Sequence, residues 1–113
     1  MGGIITSLIV TIIVGIALII IGVLNTKGNV SMLHSYHTKR VKEEDKIPFG
    51  RRVGCGSIII GISLIIFGVF LTLSELLKTE TYLFIGMGFM FSGIVIGTTI
   101  MFHAMIKYNK GIF

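Results

Sequence analysis

The chain has 113 residues, is 53% hydrophobic and carries charge on only 13% of its positions, against about 25% in soluble domains. A water-soluble domain of this size has too little interior to hide so much apolar surface, and the mean hydropathy of +0.96 excludes that class and points to the membrane. The formal net charge is +5; the basic residues border apolar runs, so their partner is the membrane surface and not nucleic acid. A single cysteine, Cys55, excludes an internal disulfide.

A membrane-crossing helix needs about 20 mainly apolar residues. The first such run is "GIITSLIVTIIVGIALIIIGVL", residues 3–24. No Lys or Arg precedes Lys27, the run is longer than a signal-peptide core, and no A-x-A site follows, so it reads as a retained helix. Ser7, Thr11, Gly15 and Gly22 fall near one face of it.

Residues 25–52 form a connecting loop that holds most of the charge. Its basic residues are Lys27, Lys39, Arg40, Lys42, Lys46, Arg51 and Arg52, set against Glu43, Glu44 and Asp45. Val30, Leu33, His37 and Val41 recur near one helical face, which predicts a short interfacial helix capped by Asn29 or Ser31. Lys39, Arg40, Lys42, Arg51 and Arg52 are the candidate lipid-headgroup contacts. His34 and His37, three apart, have the spacing of two metal ligands on one helix side. No second cluster completes a site and no HExxH is present, so they remain weak metal candidates beside a simpler interfacial role with Tyr36. No catalytic residue and no cofactor are assigned. Pro48 suits the first turn of a helix that begins near Ile47, with the Asp45 carboxylate at its N-terminus.

The second span is "VGCGSIIIGISLIIFGVFLTLSELL", residues 53–77. Gly54, Gly61 and Gly68 are spaced by seven, with Ser57 on the same side. Glu75 lies near the outer boundary, where it can pair with Lys78. The third span is "TYLFIGMGFMFSGIVIGTTIMFHAMI", residues 81–106, with Gly86, Gly93 and Gly97 in line and a second line of Gly88 and Ser92 beside it. Such stripes let helix backbones approach closely in lipid. They predict either a three-helix bundle or a face for self-association. His103 reads as a boundary residue near Lys107 and Tyr108.

The loop is strongly basic, the short link around Lys78 is weakly acidic and the tail, with Lys107 and Lys110, is basic. The positive-inside rule therefore places loop and tail in the cytoplasm. The expected fold is all-α, a single membrane domain over 1–113 with three transmembrane helices, N-terminus out and C-terminus in. "GIALIIIGVL" at 15–24 echoes "GISLIIFGVF" at 61–70, the pattern of an inverted repeat or of a restricted apolar alphabet.

At "LHSYHTKRVKEEDK", followed by a glycine-spaced apolar helix, the chain resembles an uncharacterised family of small bacterial three-helix membrane proteins. Its members pair a His-Ser-Tyr-His loop with a "VKEED"-like stretch leading into the second span. The resemblance covers roughly residues 30–70. It implies a bacterial inner-membrane location, draws attention to His34, Tyr36, His37 and Asp45, and carries no catalytic role. The resulting expectation is a small non-enzymatic accessory, interaction or immunity-type protein. Its partners would be membrane lipid and another membrane protein or itself. The alternative is a subunit of an oligomeric transporter or channel.

Overall fold

The computed structural model describes residues 2–27 and 43–110. They form three long helices, α1 (Gly2–Thr26), α2 (Lys46–Leu76) and α3 (Thr81–Asn109), with a 3-10 turn at Glu43–Asp45 leading into α2. All three are long and apolar enough to cross a membrane. Their outward faces keep large apolar side chains exposed: Ile5, Ile9 and Ile13 on α1, Ile62 and Val69 on α2, Phe84, Phe89 and Val95 on α3. In water such a surface would drive association; in hydrocarbon it meets its own solvent, and helices keep their backbone hydrogen bonds internal. Among the described residues every element is helical, and the three apolar helices make the chain a multi-pass membrane protein. The expected interfacial helix, with His34, Tyr36, His37, Lys39, Arg40 and Lys42, lies outside the described residues.

The helices outrun the apolar runs at the loop end. α2 begins at Lys46, about two turns before the apolar stretch opens at Val53. Pro48 falls in its first turn, where the missing N–H removes only a donor that has no intrahelical acceptor. Asp45 is the residue before the helix, but its carboxylate makes no capping hydrogen bond; what it contributes there is its charge beside the N-terminal amides.

α2 and α3 are antiparallel and joined by Leu77–Glu80. Leu77 N–H returns to the Leu73 carbonyl at 2.9 Å and Thr79 N–H to that of Ser74 at 3.1 Å. The Ser74 hydroxyl donates to the Thr79 carbonyl at 2.6 Å. Lys78 sits at φ 53°, the left-handed conformation usual just past a helix end, though normally occupied by glycine. The expected Glu75–Lys78 ion pair is not formed. The i, i+3 geometry it needs requires continuous helix, and the helix stops at Leu76.

α2 is the middle element. α1 packs along one side of it and α3 along the other, and α1 and α3 share no comparable interface among the described residues. The arrangement is thus a layer centred on α2, not a closed three-helix bundle. The reason is local: Gly54, Gly61 and Gly68 lie on one side of α2, whereas Gly56, Ser63 and Phe70, each two residues further on, lie about 200° away on the other.

Candidate functional site

The α1–α2 contact is backbone on backbone. A Cβ placed on Gly61 would come 2.5 Å from the Gly15 carbonyl oxygen, and one on Gly15 would come 2.7 Å from that of Gly61. Gly22 and Gly54 meet in the same way one end along, and the Thr11 side chain covers Gly68 at the other. Between the glycine pairs the Ser57 hydroxyl donates across the interface to the Leu18 carbonyl at 2.7 Å. Such bonds contribute roughly 0.6 kcal/mol in a membrane; the main stabilisation is close packing. The echoed decapeptides cross at the Gly15–Gly61 contact, with their helices running in opposite directions.

The α2–α3 contact uses the other side of α2. Gly56 and Gly97 touch through their carbonyls, each 2.5–2.6 Å from where the other's Cβ would stand. Gly93 lies under Ser63, whose hydroxyl bonds back to the Ile59 carbonyl at 2.8 Å. Gly86 makes room for Phe70. The Phe70 ring stacks against Tyr82 (6.3 Å between centroids) and Phe89 (5.9 Å), so it is a knob set among three residues of α3. Sequence spacing singled out Gly86, Gly93 and Gly97 but missed Gly56, hidden beside Gly54 in "GCGS".

At the loop end the chain builds a small side-chain core. Phe49, Val53, Ala104 and Met105 are buried, with Met101 and Tyr108 against them. Phe49 and Tyr108 meet edge to face, 6.2 Å between centroids at 79°. Asn25 is 1% exposed and neither its amide nitrogen nor its oxygen has a hydrogen-bond partner. Around this core the cations Lys27, Arg51, Arg52 and Lys107 are exposed. One Arg52 amino nitrogen lies 3.4 Å from His103 Nδ1, which ties α2 to α3 at that level. Both residues stand about equally far from the turn that joins their helices. That equal distance is the signal by which the pairing could have been found.

The outer face of α3 is different. Phe84, Ile85, Gly88, Phe89 and Ser92 line a shallow groove of about 380 Å³. A second, of about 370 Å³, is lined by Phe91, Ser92, Val95 and Ile96. A Cβ on Gly88 would touch nothing within 4 Å. His34, His37, Lys39, Arg40 and Lys42 lie outside the described residues. Among the described residues no group of three or more His, Cys, Asp or Glu is placed to hold a metal ion.

Compared with protein-family models, with curated proteins and with solved structures, the chain matches none.

Proposed function

We propose that this chain is a small non-enzymatic protein of the bacterial cell membrane that acts as an accessory, interaction or immunity-type partner of another membrane protein. Its N-terminus lies outside, and its basic loop and C-terminus lie in the cytoplasm, as the gathering of Lys and Arg at one end favours. It requires no cofactor.

The observation that supports this most is the division of α3 into two faces. One is filled by α2 through Gly86, Gly93 and Gly97; the other keeps an unfilled notch at Gly88 and Ser92 between Phe84 and Phe89. Two small residues four apart with aromatic walls suit a second helix, because small residues permit the close approach that drives association in lipid. A protein that shields or adjusts a membrane partner needs such a face and no catalytic group.

The same notch favours a second reading, a subunit of an oligomeric transporter or channel. Three helices enclose no polar path, so that role requires further copies, and the apolar spans carry no mid-membrane acid for ion coupling. A photo-crosslinking residue at Ser92 in living cells separates the two. The expected product is a discrete adduct with a different membrane protein. An adduct of two copies of this chain would favour the transporter or channel, and crosslinks to lipid alone would contradict both.

A further inference from the structure

We infer that Arg52 and His103 together form a binding site for one phospholipid phosphate, held between α2 and α3 at the edge of the hydrocarbon layer. This rests on the reading of the basic end as a headgroup-facing surface and assigns it a specific site.

The two residues mark the same depth independently. Arg52 is the last charged residue before the apolar run of α2 opens at Val53. On α3, from Thr81 to Phe102, no Lys, Arg, Asp, Glu or His occurs, and His103 is the first ionisable side chain at the loop end other than the phenol of Tyr82 near the turn. The 3.4 Å contact joins these two boundaries.

Among the described residues Arg52 is a cation without a counter-ion. It is exposed, its contact is with an imidazole, and among the described residues no carboxylate pairs with it. Glu43, Glu44 and Asp45, the acids that precede it in the chain, lie about two turns or more away along it. A phosphodiester at the edge of lipid fits the planar fork of an exposed guanidinium with two parallel hydrogen bonds. The imidazole contact adds a constraint. Arginine has no acceptor, so it must donate, and His103 Nδ1 must accept.

The surroundings suit a lipid more than a free ion. Cys55, one turn into the membrane from Arg52, and Ile96 and Thr99, one to two turns in from His103, are partly apolar and exposed, and they offer a lane for an acyl chain. Lys107, one turn beyond His103, adds a second exposed cation on the water side.

The test is native mass spectrometry of the full chain in detergent. Phosphatidylglycerol, phosphatidylcholine and inorganic phosphate serve as probes, and circular dichroism checks helix content. The expected result is one retained phosphatidylglycerol, with affinity lowered about tenfold by Arg52→Ala or His103→Ala, the size of one lost charge-assisted bond. Arg52→Lys, which keeps the charge and loses the fork, also loses affinity, and Lys27→Ala, just past the C-terminal end of α1, does not. If Arg52→Ala and His103→Ala hold the lipid as the parent does while phosphatidylglycerol is still preferred, the site is overturned and the headgroup surface stands. If the parent retains neither phosphatidylglycerol nor phosphatidylcholine, both are overturned; equal retention of the two, still lowered by Arg52→Ala, overturns the anionic-lipid preference and leaves the site on the phosphodiester they share. Tight retention of inorganic phosphate with no lipid retained would overturn the lipid assignment.

Discussion

At Gly15 and Gly61 two helix backbones touch through their carbonyl oxygens, and any side chain there forces them apart. Gly88 faces open space. The same substitution at the two kinds of site should therefore separate them. Gly61→Leu is expected to lower the stability of the chain against unfolding in dodecyl sulfate by about 1–3 kcal/mol, the usual cost of overpacking. Gly88→Leu is expected to change it by less than about 0.5 kcal/mol, while weakening any helix that docks on that face. Glycine stripes were legible in the sequence, because spacing alone puts residues 54, 61 and 68 on one side of a helix. Which stripe meets which was not: register between helices depends on packing that no single segment records. Arg52 and His103, 51 positions apart, were visible as two boundary residues and not as a pair.

The elements differ in how they end. Span lengths could be read because hydrocarbon thickness sets them. The helix ends could not, because a helix does not have to stop where the apolar run does. α2 continues through Pro48 and both arginines into the polar region, and its extra turns carry Phe49 into the small core with Ala104 and Tyr108. At the opposite end the helix stops at Leu76, and the hydrogen bonds of Ser74 and Thr79 hold the tight turn that sets the register of α3. Phe70 then locks that register against Tyr82, Gly86 and Phe89. Phe70→Ala is expected to destabilise the α2–α3 pair by about 0.5–1.5 kcal/mol for each of its two ring contacts. Hydrogen exchange in detergent micelles is the measurement, with faster exchange at 82–89 than in α1 as the signature.

For the whole molecule, the layer around α2 explains why glycines dominate its two interfaces while large side chains cover its outside. Lipid solvates the outer faces, so burial of bulk gains little, and helices are held by close backbone approach. The same layer leaves α1 and α3 each with an outward face available to lipid or to another helix, and it gathers the cations at one end, where a negatively charged leaflet would attract them. The proposed topology puts that end in the cytoplasm. Alkaline phosphatase, active only outside the cytoplasm, tests this most directly when fused after Phe113 and, separately, inserted at Thr79. The account predicts an inactive enzyme at Phe113 and an active one at Thr79; activity at Phe113 with silence at Thr79 would contradict it.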